Sequence, residues 1–278
     1  LDLGPVAVKG KSQPISAIRP TAFLGTASGE LVRHGFFGRE EELGTLVELV
    51  DRLEAGSGWV ASVIGEAGLG KSALLREWEH RTGSSRTVAR HPGDDGALAA
   101  MTGASQSYDA SRPMSGFRDV LDRWFPLDGV EDHARIRSAC SGVDFPDATA
   151  LIAHAAGSAL PEEDQAFIDA LAPPVLLQRV RAAVSAYVSA EAQRRPLIIV
   201  FEDLHWSDDL TIDLIADLLA ATELAPVGIL FSMRPYRDDP SWRVHEKAAR
   251  DHPHRYEQIQ LSPLGESSAA ALVSDMLG

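Results

Sequence analysis

The sequence is poor in the residues that would tie it to several large classes of protein. Cys140 is its single cysteine in 278 residues, so no internal disulfide can form, and no Cys/His cluster has the spacing of a zinc site. The expected setting is the reducing cytoplasm. Positive charge is scarce: 26 Lys and Arg against 40 Asp and Glu give a formal charge of −14, which leaves no basic footprint for nucleic acid or for an anionic membrane surface. Long apolar runs are missing as well. The best stretch, LIADLLAATELAPVGILFSM, is interrupted by Asp217, Glu223 and Pro226, so no membrane-spanning helix is expected. The opening LDLGPVAVKGK has no Met and no charged start leading into an apolar segment, and it reads as part of a longer chain.

What is present is a 45% hydrophobic content, enough for the core of one large domain or two modest ones. Residues 1–35 carry Gly, Pro and Ser at short intervals, which predicts a strand or two followed by a linker. Leu43, Leu46, Val47, Val50 and Leu53 then recur at helical spacing, and Gly56 and Gly58 stop that helix. WVASVI reads as a short buried strand, and SALLREWEH as a helix with Leu74, Leu75 and Trp78 on one side.

Between that strand and that helix lies GEAGLGKS, in which Gly65, Gly70, Lys71 and Ser72 fit the phosphate-loop pattern G-x-x-x-x-G-K-[ST]. Backbone N–H groups of such a loop cradle phosphates, the Lys reaches the outer phosphates, and the hydroxyl binds Mg²⁺. The loop residues Gly65, Glu66, Ala67, Gly68, Leu69, Gly70, Lys71, Ser72 and Ala73 are therefore the candidate nucleotide binders. Four fixed positions can arise by chance, but the strand before and the helix after are what the mechanism needs.

Residues 86–159 are hard to read, with VAR a possible second strand and SGFRDVLDRWF a helix. Helical spacing returns at Val175, Leu176, Val180, Ala183, Val184 and Tyr187, and Arg194, Arg195 and Pro196 end that segment. LIIVF has the unbroken apolar character of a central parallel strand. It runs into Glu202 and Asp203, the position of a Walker B element, where one carboxylate holds the metal and its neighbour polarises the attacking water. TIDLIADLLAAT is a helix, VGILFSM another strand, and SPLGESSAAALVSDMLG starts a final helix. Alternating strands and helices predict a parallel sheet flanked by helices.

In this order FFGREEEL, GEAGLGKSALL, FEDLHWSD and FSMRP resemble the ATPase domain of the STAND class within the AAA+ superfamily, as found in bacterial cyclase–ATPase fusions and LuxR-type large regulators. The resemblance covers residues 34–278, loosely over 86–170. It implies that Arg39 lies near the bound adenine nucleotide, that Ser72 and Glu202 hold Mg²⁺, that Asp203 activates water, and that Arg234 senses the terminal phosphate. Glu202 stands where many relatives have Asp, and the added methylene alters the metal geometry. His205, Trp206 and Asp208 continue the signature. Trp206 reads as core packing, and His205 as either an orienting or a structural histidine. LGPVAVKGKSQPISAIRP resembles the last strand of a class III nucleotide cyclase, with a KG turn leading into a terminal β-hairpin.

The expected architecture is an α/β doubly wound parallel-sheet P-loop NTPase of AAA+/STAND type. Residues 1–33 are expected to be the tail of an upstream cyclase-like domain plus linker, 34–262 the ATPase domain, and 263–278 the start of a helical lid. The expected function is Mg²⁺-dependent binding of ATP and its slow hydrolysis to ADP as a conformational switch. Expected partners are neighbouring domains, cyclase-like before and helical or repeat-like after, and a second copy in a homo-oligomer. A non-hydrolysing nucleotide-gated module is the alternative. A small-molecule kinase predicts an acceptor pocket and an Arg-rich lid, neither of which is evident in the sequence.

Overall fold

In the computed structural model, residues 2–6, 15–18, 35–106, 114–129 and 131–277 are described. The chain divides into two compact units, residues 1–37 with 267–278, and residues 38–266. In the first, β1 (Asp2–Val6) pairs antiparallel with β2 (Ile15–Ile18), Val6 opposite Ile15. The KG turn expected between them lies outside the described residues. The same unit takes in most of a terminal helix, α11, described last.

The second unit is built on α1 (Glu40–Glu54), β3 (Trp59–Ile64), α2 (Lys71–Ser85), β4 (Val88–Ala89) and β5 (Leu98–Ala104). Among the described residues five helices follow before the next strand: α3 (Ser115–Trp124), α4 (Asp132–Ala139), α5 (Ala148–Ala156), α6 (Glu162–Asp169) and α7 (Pro173–Arg194). Then come β6 (Leu197–Glu202), α8 (Asp209–Leu218), α9 (Ala221–Leu224), β7 (Val227–Met233), α10 (Trp242–Asp251) and β8 (Tyr256–Gln260). The chain closes on α11 (Glu266–Leu277).

Six strands form one sheet in the order β4-β5-β6-β7-β3-β8, every pairing parallel. Parallel strands need crossovers, and the helices supply them. All six residues of β3 and all seven of β7 are buried, so side chains pointing to both faces are covered, as a doubly wound sheet requires. Helix α1 packs on α2, whereas α7 packs on α5, α8 and α9, and α8 on α10. Trp59, Phe117, Trp124, Phe125, Tyr187 and Phe231 are the largest fully buried side chains. Burial pushes the Cys140 thiol up to about 11, which leaves it protonated and unreactive at neutral pH.

Several sequence expectations need adjustment. The VAR strand is only the two-residue edge β4, and the strand beside β6 is β5, LAAMTGA, whose small residues give little strand signal. In α1 the core face includes Leu49, while Val47 is half-buried; in α7, Val175 is 45% exposed. Edge strand β8, YEQIQ, buries only Ile259 well and was likewise hidden by its polar residues.

Register aligns the ends that matter. Ser62 of β3 and Phe201 of β6 both lie opposite Phe231 of β7. The residues that follow these strands, at 65, 203 and 234, therefore emerge together at the carboxyl edge of the sheet, where open α/β sheets bind ligands.

Candidate functional site

The loop between β3 and α2 turns sharply, with Gly68 at φ +81° and Gly70 at φ +87°, a region that side chains with a Cβ rarely adopt. Gly70 is the N-cap of α2 and supplies no side-chain cap, and no acidic residue sits in the first turn. The first N–H groups of α2 are left for an outside acceptor, at the positive end of the helix dipole. Lys71 is 6% exposed. Its ammonium donates to the carbonyls of Gly65 at 2.8 Å and Glu66 at 3.1 Å, which uses two of its three donors and leaves the third for a phosphate oxygen. Burial lowers its pKa, opposed by the nearby Asp203 carboxylate.

Across the sheet, Glu202 closes β6, with the Ser72 side chain among the groups that act on its carboxylate. Burial raises the Glu202 pKa, and the Glu79 carboxylate adds to the rise, while the Ser72 side chain pulls it back. A hydroxyl and a carboxylate side by side are hard oxygen donors of the kind Mg²⁺ takes, with waters and phosphates completing the shell. Among the described residues no group of three or more His, Cys, Asp or Glu side chains could hold a metal ion.

Asp203 follows in the left-handed region, φ +54° and ψ +45°. A non-glycine residue held there stores strain. Its N–H donates to the Ser232 hydroxyl of β7 at 2.9 Å, which pins the turn to the neighbouring strand. Ser232 is the functional neighbour that sequence reasoning missed; its only signal was a polar residue in the apolar run VGILFSM. A 3₁₀ turn, Leu204–Trp206, comes next. Asp208 then caps α8, accepting from the N–H groups of Leu210 at 3.0 Å and Thr211 at 3.2 Å, and from the Thr211 hydroxyl at 2.6 Å. Its place in the signature is thus structural.

Arg234 leaves β7 half-buried, with no ion pair among the described residues and its guanidinium carbon 5.3 Å from the centre of the Trp206 ring. Trp206 is half-buried under that cation rather than packed in the core as its sequence suggested. The His205 side chain is 4% exposed, 4.0 Å from the Asp203 carboxylate and 5.0 Å from the Trp206 ring. Both His205 ring nitrogens and Arg234 Nε are buried without a hydrogen-bond partner among the described residues. Each such group costs about 1–3 kcal/mol if left so.

Arg39 is 6% exposed and ties three segments together. It donates to the Glu42 carboxylate at 2.9 Å and to the Leu69 carbonyl of the phosphate loop at 3.3 Å, and it also donates to the Ser262 carbonyl beyond β8. The Glu42 pair lies at the start of α1, and the donation to the Leu69 carbonyl sets Arg39 against the phosphate loop. The structure therefore gathers Lys71, Ser72, Glu202, Asp203 and Arg234 at one sheet edge, with Arg39 bracing the loop.

The model of the AAA ATPase domain family matches residues 35–231. The chain belongs to that family. Nucleotide binding and hydrolysis are the general business of such domains, and they use ATP with Mg²⁺. A protein of Rhizobium meliloti (strain 1021), described as uncharacterized, is 26% identical over 225 residues, or 76% of this chain. The chain spans only 19% of that relative's length. Among solved structures, this AAA ATPase domain is similar to the ORC1 protein of Aeropyrum pernix in complex with DNA, at 17% identity and a TM-score of 0.44, covering 90% of this chain and 52% of that one. It is also similar to a Walker-type ATPase of Pyrococcus abyssi, at 12% identity and a TM-score of 0.38, covering 87% and 58%. No helix among the described residues is long and apolar enough to cross a membrane.

Proposed function

We propose that this domain binds Mg²⁺-ATP and hydrolyses it slowly, as a conformational switch of STAND type within a longer cytoplasmic bacterial protein. The observation that carries the reading is the convergence of the phosphate loop and its uncapped helix start with Glu202, Asp203 and Arg234 at the carboxyl edge of neighbouring parallel strands. Lys71 and the uncapped N–H groups of α2 would hold the outer phosphates. Asp203 would accept a hydrogen bond from the attacking water and orient it, and Arg234 would meet charge developing on the terminal phosphate. Mg²⁺ held by Ser72 and Glu202 would neutralise phosphate charge. Positioning and electrostatics supply most of the rate in such sites.

A slow rate is supported by the strained turn at Asp203 and by the unpartnered His205 and Arg234 nitrogens, since that half of the site is not organised without a ligand. A longer parent protein is supported by the small share of the Rhizobium relative that the chain spans. In that setting residues 1–33 would be the tail of a cyclase-like domain, 34–262 the ATPase, and 263–278 the start of a lid. Assembly with a second copy would bring in an arginine to complete the site. The ORC1 structure contains DNA, but the −14 charge of this chain does not support carrying that ligand over.

The test is phosphate release from saturating Mg²⁺-ATP by the protein and by Asp203→Asn, with bound nucleotide quantified in both. The expected outcome is release that falls at least about tenfold in the variant while binding is kept. Tight binding with no release from either protein would replace the hydrolytic reading with that of a nucleotide-gated module.

A further inference from the structure

The three unpartnered nitrogens at the Walker B edge belong to two residues with complementary needs. Burial lowers the pKa of His205, the Asp203 and Asp239 carboxylates oppose the fall, and the Arg234 and Lys71 cations add to it, so the environment favours the neutral ring. A neutral imidazole has one N–H donor and one bare acceptor. Nδ1 lies 4.0 Å from Asp203 Oδ1, about 1 Å beyond a hydrogen bond. Arg234, whose Nε–H has no acceptor, is among the charges His205 feels and lies over the Trp206 ring that His205 also touches. A donor without an acceptor and a ring without partners thus both lie against Trp206, with a carboxylate just out of reach of the ring.

We propose that His205 is a positioning residue that couples Asp203 to Arg234: with nucleotide bound, Nδ1–H donates to the Asp203 carboxylate and Nε2 accepts from Arg234 Nε–H. The coupling rests on the hydrolytic reading above. It gives the carboxylate a fixed direction toward water only when Arg234 has been drawn to the terminal phosphate, so the empty site stays unassembled. No covalent step is involved; a small rotation of the Asp203 side chain, which is 36% exposed, closes the first contact.

The test compares His205→Phe, His205→Asn and His205→Gln for steady-state phosphate release and, separately, nucleotide affinity. An Asn amide reaches the place of Nδ1, a Gln amide that of Nε2. His205→Phe is expected to lower kcat roughly tenfold to a hundredfold, as removal of an orienting partner does elsewhere, with affinity unchanged within about twofold. His205→Asn is expected to recover most of the loss and His205→Gln little. Combining His205→Phe with Asp203→Asn should add nothing to Asp203→Asn alone.

Wild-type turnover in His205→Phe, equal recovery by Asn and Gln, or additive losses in the double variant would each overturn the coupling while leaving the ATPase reading intact. Lost nucleotide affinity in His205→Phe would make the residue structural and overturn it too. A wild-type protein that binds ATP yet releases no phosphate removes the hydrolytic reading, and the coupling with it.

Discussion

The two walls of the nucleotide cleft differ in how completely their polar groups are matched. On the phosphate-loop wall, the Lys71 ammonium has two carbonyl acceptors and the Arg39 terminal nitrogens reach the Glu42 carboxylate and two carbonyls, which leaves only Arg39 Nε without a partner among the described residues. On the Walker B wall, His205 and Arg234 hold buried nitrogens with nothing to bond, and Asp203 sits in a strained turn. The wall with most of its donors engaged is the one held in place before any ligand arrives. The wall with three nitrogens short of partners is the less settled one, and the strain of its turn is carried by the packing of the rest of the domain.

The sharpest way to break that contrast is Lys71→Ala. Removing a buried cation that faces phosphate should weaken ATP binding by about a hundredfold or more. Titration with a fluorescent nucleotide analogue would read it, and retained affinity would show that the wall does not bind phosphate. Arg39→Met comes next. It strands the Leu69 and Ser262 carbonyls, so a stability loss of about 1–3 kcal/mol is expected, seen as a lower urea midpoint. An unchanged midpoint would mean that the brace carries no load. The smallest expected effect is on the other wall: His205→Phe swaps an unsatisfied ring for an apolar one and should leave the nucleotide-free midpoint within about 0.5 kcal/mol of wild type, or above it. A drop as large as that of Arg39→Met would erase the difference between the walls.

The matched wall was also the legible one. WVASVI, GEAGLGKS and SALLREWEH announce strand, loop and helix because the apolar runs are short and bounded, and the four fixed loop positions each have a physical job. LIIVFED was readable for the same reason. What could not be read was whatever depends on residues far apart in the chain. Ser232 reaches Asp203 across 29 positions, and Arg39 reaches Ser262 across 223. His205 has no local signature that tells a buried ring without partners from a buried ring well bonded. Nor did the five-helix stretch from α3 to α7 resolve into its pieces. Its helices α4 and α5 begin at Glu131 and Asp147 in left-handed backbone, and neither has a side-chain cap; Asp147 is a capping residue by type that makes no cap, so a start signal read from the sequence does not mark the structure reliably.

The strand order carries a consequence for how the site comes into being. β3 is flanked by β7 and β8, both made from the last part of the domain. When the phosphate loop leaves the ribosome, the strands that will hold it do not yet exist; about 190 residues separate Ser72 from Gln260. At typical rates of translation that is a wait of roughly 10–40 s. During that interval a nascent chain carries the loop sequence without a sheet to shape it. Nucleotide should therefore bind only after the last strand has been added, so that capture of ATP reports the completion of the domain.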